Sequence, residues 1–261
     1  MIKPTWGEHI RVEVDGFVAV VTLDRPPNNH VSVALVRDLA DALETLDGDD
    51  GTRATVLLTA GKVFCAGADF AAPGDAVGAG MDGVAALYDQ AVRLFAIQKP
   101  MVAAVQGAAV GAGLGLALAA DFRIAGPEAR FSANFVKLGF HPGFGLSHTL
   151  PRLVGAQAAS LMFLTGRRLK AEEALRIGLV DAVVAGEALP GAALELAREI
   201  AQNAPLAVTA TRRTLRGELA AAVRATTLQE HAQQALLRVT EDFAEGVQAV
   251  AQRRPGDFKG R

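Results

Sequence analysis

Cysteine is nearly absent: Cys65 is the only one in the chain. No intrachain disulfide can form and no thiolate metal cluster can be built, which fits a reducing, cytoplasmic location. Charge of one sign is not in excess either. The 26 basic residues face 28 acidic ones for a net charge of −2, so the basic surplus of nucleic-acid and membrane-surface proteins is missing. Long hydrophobic runs are missing too. The longest, 108–120, is broken by glycines and falls short of the ~20 residues of a membrane span. The first ten residues carry charge and Pro4 without an apolar stretch, so no secretory signal is expected there. Aromatics are scarce at 5%, whereas alanine is abundant and glycine numbers 27, a composition suited to close helix packing and tight turns. With 261 residues, 51% of them hydrophobic, the chain can bury a sizeable core as one large domain, or one with a smaller appendage.

Buried strands are expected at Phe17 to Leu23, Ala54 to Thr59 and Met101 to Val105, with a fourth at Asp121 to Ala125. Between the first two, Val36, Leu39, Ala40, Leu43 and Leu46 recur at helical spacing behind a capping Ser32. Residues 71–83 are rich in Gly and Ala without periodicity and read as a loop, and a helix is expected from Val84 to Ile97, ahead of Pro100. Beyond Gly155 the pattern turns mostly helical, at 156–165, 171–177, 188–202, 205–216 and 218–252, with a brief strand at Val180 to Val184. Strands interleaved with helices and then a helical tail indicate an α/β core over 1–200 and a helical region over 201–261.

Two glycine-bearing loops each follow a buried strand. They are Phe64-Cys65-Ala66-Gly67-Ala68-Asp69 and the run from Gly107 through Gly111, Gly113 and Gly115. Small residues let backbone approach a ligand, and a helix starting at such a loop offers unpaired N–H groups. Two N–H groups converging from separate loops could stabilise an oxyanion, each worth about 2.7–4 kcal/mol. The same glycines also suit tight turns for helix–sheet packing, and spacing alone leaves both readings open. A dinucleotide site fits poorly. Leu116 stands where G-x-G-x-x-G needs its last glycine, and Asp121 is far nearer than a ribose-binding acid should be.

In order and separation several motifs resemble those of the crotonase (enoyl-CoA hydratase/isomerase) family. They are Phe64 to Asp69, Val105 to Leu114, Ala119 to Ala125, Leu138 to Gly145, Leu150 to Gly155, Thr165 to Arg167 and the tail Arg253 to Arg261, so the likeness spans essentially the whole chain. The resemblance implies a spiral of ββα units, a C-terminal helical trimerisation region and a homotrimer or a hexamer made of two trimers. It implies an acyl-CoA substrate, with coenzyme A as part of that substrate and no separate cofactor. It puts the oxyanion N–H groups on Ala66 and Ala112. The loop holding Ala66, Ala68 and Asp69 is implied to bind the adenine and pantetheine, with Lys259 at the phosphates and Phe258 over the adenine. Read alone, Lys259 is a solvated tail charge and Asp69 a cap for the turn after Gly67.

The pattern breaks at the two glutamates with which a hydratase places water and moves its protons. The first falls on Gly115 and the second on Phe135. Neither side chain can transfer a proton, and general acid–base help is typically worth ~10²–10⁴-fold. Efficient hydration is therefore not expected, and isomerisation through the second glutamate is in doubt as well. Decarboxylation of a malonyl-type thioester, hydrolysis, retro-aldol cleavage and plain binding of CoA esters stay open, as does hydration through other residues. His141 is the first candidate to replace the pair, since an imidazole can serve as base, acid or nucleophile near neutral pH, though a loop-capping role suits it too. Asn134 could orient water, and Lys137 could pair with an acidic acyl group. Tyr88 reads as core or surface, and Cys65 as a small packed hydrophobe. Ser147 and His148 are adjacent on a helix and face apart. His141 and His148 have no carboxylate cluster with them, so no metal site is expected.

Overall fold

The computed structural model describes residues 2–68 and 80–261. Its elements are β1 (Thr5–Trp6), β2 (Ile10–Asp15), β3 (Val18–Leu23), α1 (Val33–Asp47), β4 (Ala54–Thr59), α2 (Gly80–Ala96), β5 (Met101–Val105), β6 (Ala108–Val110) and α3 (Ala112–Ala119). There follow β7 (Phe122–Ala125), β8 (Arg130–Ser132), a 3₁₀ turn at Asn134–Leu138, α4 (Leu146–Val154), α5 (Ala156–Thr165), β9 (Arg168–Lys170) and α6 (Ala171–Arg176). After β10 (Ala182–Val183) and a 3₁₀ turn at Gly186–Ala188, the rest is helical: α7 (Leu189–Ala201), α8 (Pro205–Arg216), α9 (Leu219–Leu237) and α10 (Glu241–Ala251).

Seven strands form one sheet in the order β1-β2-β3-β4-β5-β7-β10, and β6-β8-β9 form a second. From β3 to β10 neighbouring strands of the large sheet run parallel. Alternation along these strands sorts the core into two. Ala19, Val21, Leu57, Met101, Ala103 and Val105 face the side carrying α1, α2 and α3. Val18, Ala54, Val56, Val102 and Ala104 face Leu189, Ala193, Ala197 and Ala201 on α7. Period-2 side-chain direction in strands buried on both faces requires this division.

The Ser32 hydroxyl caps α1 by accepting from the Leu35 N–H, as expected. Three expectations change. Helix α2 starts at Gly80, four residues before the expected Val84. The helix expected over 218–252 is two, because Thr240 accepts from the Phe243 N–H and begins a new one. The stretch after Gly107 is a short strand, β6, followed at once by α3. Residues 71–79 of the expected loop lie outside the described residues, as does Asp69.

Candidate active site

Parallel strands deliver their following loops to a common edge, where ligands of open α/β sheets characteristically sit. Here β3, β4 and β5 deliver residues 24–32, 60–68 and 106–111. The second and third of these are stitched together. The Cys65 N–H donates to the Ala108 carbonyl at 2.9 Å, and the Val110 N–H to the Cys65 carbonyl at 3.0 Å. Glycine is required for so close an approach: a Cβ on Gly113 would lie 2.1 Å from the Cys65 carbonyl oxygen, and one on Gly67 would lie 2.7 Å from that of Val110. The packing and functional readings of these glycines are therefore one. They bring the Gly67–Ala68 backbone beside the first turn of α3, 3.6 Å separating the would-be Gly67 Cβ from the Ala112 nitrogen.

Beneath this junction lies a cavity of about 400 Å³. Its walls are mostly apolar, with Val84, Leu87, Leu138, Phe140, Val247 and Val250 among them. Ala66, Ala68 and Ala112 all line it. They differ in what their N–H groups do. The Ala66 N–H donates to the Asn28 carbonyl at 3.1 Å and is spent holding the loop. Ala112 opens α3, so its N–H has no intrahelical acceptor. Among the described residues, none accepts from Ala68 or Ala112. Of the expected pair, the Ala66 N–H is thus engaged by a carbonyl, whereas among the described residues the Ala68 and Ala112 N–H groups are open to a ligand.

His141 is also corrected. It does not line the cavity but a separate recess with Ser147, His148 and Glu230, and its Nδ1 is 2.8 Å from the Pro142 carbonyl. Glu230 is fully buried there and accepts from the Gly145 and Ser147 N–H groups and the Ser147 hydroxyl. Burial pushes its pKa above the ordinary carboxylate value, against the lowering effect of those bonds and of the His141 charge. These bonds supply acceptors for the first N–H groups of α4, so the recess secures a helix end.

The two positions at which the resemblance puts glutamates, 115 and 135, have apolar surroundings. Phe135 lines the cavity, and Gly115 is covered by the Phe144 ring, whose Cδ1 lies 2.5 Å from where a Cβ on Gly115 would be. Phe144 holds φ at 64°, a conformation that costs a non-glycine residue about 1–2 kcal/mol. Tyr88 and Gln234 lie against the residue before it: the Tyr88 hydroxyl is 1.9 Å from where a Cβ on Gly143 would be and donates to Gln234 Oε1 at 2.8 Å. Gln234 Nε2 donates onward to the His141 and Pro142 carbonyls at 2.8 and 3.3 Å. Sequence reasoning set Tyr88 aside and passed over Gln234 and Phe144, which meet only in the fold.

Cys65 is wholly buried beside the junction, and burial pushes its thiol up to about 12, so it is a packing residue. Lys137 does not line the cavity, and its stem packs against Gly166. Asn134 does line it, with Oδ1 4.0 Å from a Cβ built on Gly111. Phe258 is half exposed and leans on Gly256. Lys259 donates from Nζ to Asp257 at 2.8 Å, and its N–H donates to Asp242 at the start of α10. The tail therefore doubles back along a helix whose Val247 and Val250 line the cavity. Among the described residues, no helix is long and apolar enough to cross a membrane.

A parallel sheet that delivers its loops to one apolar cavity, followed by C-terminal helices, agrees with the expected crotonase-like fold, and comparison with known proteins bears this out. The family model for enoyl-CoA hydratase/isomerase matches residues 13–261. The chain is 38% identical over 249 residues to 2,3-dehydroadipyl-CoA hydratase of Escherichia coli K12, covering 94% of this chain and 96% of that one. It is 38% identical over 266 residues to carnitinyl-CoA dehydratase of Salmonella arizonae, covering 97% and 99%. The crystal structure of carnitinyl-CoA hydratase from Mycobacterium avium superposes with a TM-score of 0.86 at 35% identity, covering 97% of this chain and 99% of that one. The chain belongs to the enoyl-CoA hydratase/isomerase family, whose members act on CoA thioesters.

Proposed function

We propose that this protein binds an acyl-CoA thioester with its carbonyl oxygen between the Ala68 and Ala112 N–H groups, stabilises the derived enolate, and is not an efficient hydratase. The carrying observation is that Ala68 and Ala112, from separate loops, line one cavity with N–H groups that no described residue accepts, and the reading is supported by Gly115 and Phe135 standing where the family resemblance puts the glutamates. Each donor aimed at the developing oxyanion contributes about 2.7–4 kcal/mol. The donor pair is polarised from behind. The Gly67 carbonyl, in one peptide unit with the Ala68 N–H, accepts from the Val31 N–H at 2.9 Å. The Gly111 carbonyl, paired likewise with the Ala112 N–H, accepts from the Gly115 N–H at 3.1 Å. Hydrogen bonds in series strengthen one another.

A hydrocarbon or aromatic acyl group fits the cavity's walls. Decarboxylation of a malonyl-type thioester suits the site, because loss of CO₂ needs enolate stabilisation more than a strong base. The CoA end is proposed to follow the Ala66–Ala68 loop and Asp69, with its adenosine over Phe258 and its phosphates near Lys259. CoA enters as substrate, with no separate cofactor, in a cytoplasmic setting.

Purified protein is expected to melt higher with acyl-CoA esters and to leave the conjugated absorbance of crotonyl-CoA unchanged. Enzymatic loss of that absorbance would restore the hydratase reading that the relatives' names favour, and no stabilisation by any ester would remove the CoA site.

A homotrimer, alone or doubled into a hexamer, is proposed to form through the helical region, where Leu206, Leu215, Leu228 and Leu236 are 67–85% exposed. A set of large apolar side chains this exposed marks an interaction surface. Sedimentation should give three or six times the chain mass, and Leu206→Glu with Leu228→Glu should shift it toward the monomer. A wild-type monomer would reject the assembly.

A further inference from the structure

The chain carries few aromatic residues: 12 Phe, one Tyr and one Trp. Among the described residues, four of these, Tyr88, Phe135, Phe140 and Phe144, line the cavity beneath the donor loops. The polar groups that line it either sit at the donor end or are paired with each other. His30 Nδ1 is 3.2 Å from the Gly67 carbonyl oxygen, and Asn134 Oδ1 is 4.0 Å from a Cβ built on Gly111. The Tyr88 hydroxyl donates to Gln234 Oε1 at 2.8 Å, so what Tyr88 has left for a ligand is its ring.

Two of the rings are set against the first turn of α3, the turn that the Ala112 N–H opens. Gly111 and Gly115 stand one turn apart there, joined by the Gly115 N–H donating to the Gly111 carbonyl at 3.1 Å. Phe135 comes tip first to the Gly111 end, its Cζ 3.6 Å from a Cβ built on that residue. Phe144 lies along the Gly115 end, its Cδ1 2.5 Å from the corresponding point, so any side chain at 115 would displace the ring. Both rings are buried. Phe140 is buried as well and leans on Phe243, with ring centroids 5.0 Å apart. The aromatic wall is therefore fixed in place, and it begins at the turn that carries one of the two donors.

We infer that the acyl group taken by this site is aromatic, an arylacetyl thioester whose ring packs among Phe135, Phe140, Phe144 and Tyr88. The inference rests on the thioester placement proposed above and narrows the acyl class left open there. Aromatic rings attract one another in offset stacks and edge-to-face pairs, beyond what burial of the same apolar area supplies. A saturated chain gains the area contribution alone and gives up more torsional freedom on being ordered. In an arylacetyl group the ring is bonded to the α-carbon. A carbonyl held at the Ala112 N–H therefore puts that ring within a few bonds of the first turn of α3, where Phe135 and Phe144 stand. The chemistry of the enolate points the same way. An arylacetyl enolate is conjugated with its ring, which spreads the negative charge, so it depends less on a strong base than an alkyl enolate does. Positions 115 and 135 supply no such base.

The test is calorimetric binding of phenylacetyl-CoA, cyclohexylacetyl-CoA and hexanoyl-CoA. The second has the carbon skeleton of the first without its π electrons. Each ring contact contributes roughly 2–12-fold beyond area, so wild type should bind phenylacetyl-CoA about 10-fold tighter than either saturated ester. Phe135→Leu and Phe144→Leu keep apolar bulk but each removes a ring. Each should cut that preference by about 2–12-fold while changing hexanoyl-CoA affinity little. Equal or reversed affinities in wild type would overturn the inference and leave the thioester placement standing. So would a preference that survives in full in both folded variants. Where a leucine variant does not fold, the wild-type ranking decides alone. Wild type that binds none of the three esters would remove the thioester placement itself, and the arylacetyl assignment with it.

Discussion

Glutamate introduced at position 115 alone is expected to bring no crotonyl-CoA hydration and to lower the melting temperature. The position sits in α3, whose residues are all buried. A Cβ there would lie 2.5, 3.0 and 3.1 Å from the Phe144 Cδ1, Cγ and Cβ atoms. Overpacking of this kind costs about 1–3 kcal/mol, or roughly 2–4 °C per kcal/mol for a chain of this size. The carboxylate would also be thrust into aromatic carbon, where an unpaired charge is costly. Room must be made first. Phe144→Gly removes the ring and relieves the left-handed backbone, since glycine adopts φ 64° without strain. With Phe135→Glu added, two carboxylates would flank the oxyanion donors. The triple variant G115E/F135E/F144G is expected to hydrate crotonyl-CoA at least about 10²-fold faster than G115E, read from the fall in conjugated absorbance. Hydration by G115E matching the triple variant would show that Phe144 does not block the site. A triple variant that folds and binds crotonyl-CoA but stays inert would show that more than the pair is missing.

The frame behind this experiment was readable from the residues because it depends on local signals. Runs such as Ala54–Thr59 and Met101–Val105 are buried on both faces and can hardly be anything but interior strands. The glycines at 67 and 113 announce close backbone approach. What stayed hidden depends on long-range geometry. Whether the Ala66 or the Ala68 N–H is free is decided by the Asn28 carbonyl, 38 residues from Ala66. His141 looked suitable because an imidazole can act as base, acid or nucleophile near neutral pH, yet it lines a separate recess with Glu230, which arrives from α9. His30, which lines the cavity, could have been found. The loops after β4 and β5 were read as site loops because each follows a buried strand, and β3 is a third such strand with His30 in its loop. The short strands β6, β8 and β9 were missed because three residues carry too little alternation to register.

Asp121→Asn is expected to destabilise the fold by about 3–5 kcal/mol, the range for breaking a buried ion pair by removing one partner. At roughly 2–4 °C per kcal/mol this lowers the melting temperature by about 6–20 °C. Asp121 lies just past α3, and its carboxylate joins the sheet to the C-terminal helices. It accepts from the Met101 N–H at 2.9 Å, from Arg212 Nε at 2.9–3.0 Å and from Arg216 Nη1 at 2.8 Å. Arg212 also donates to the Ile97 carbonyl, and Arg123 lies buried close by, giving to the Leu179 and Ala120 carbonyls. Two guanidinium groups thus share one carboxylate, while Arg123 pairs with Asp181 at 3.6 Å, and burial lowers the pKa of both Arg212 and Arg123 from the ordinary value. Among the described residues, Arg212 Nη2 and Arg216 Nε are already buried without acceptors. Asparagine keeps the shape but turns an NH₂ toward donors and leaves the cations uncompensated. Asp89→Asn is the control, since Asp89 meets Arg224 at 3.3 Å on the surface with both side chains more than half exposed, and such pairs contribute about 0–1 kcal/mol. The two variants compared by urea denaturation should therefore separate widely. Equal midpoints would mean that α8 is held to the core by apolar packing and not through Asp121. Because Asp121 does not line the cavity, acyl-CoA binding by the folded fraction should be unchanged, which separates this anchor from the site it supports.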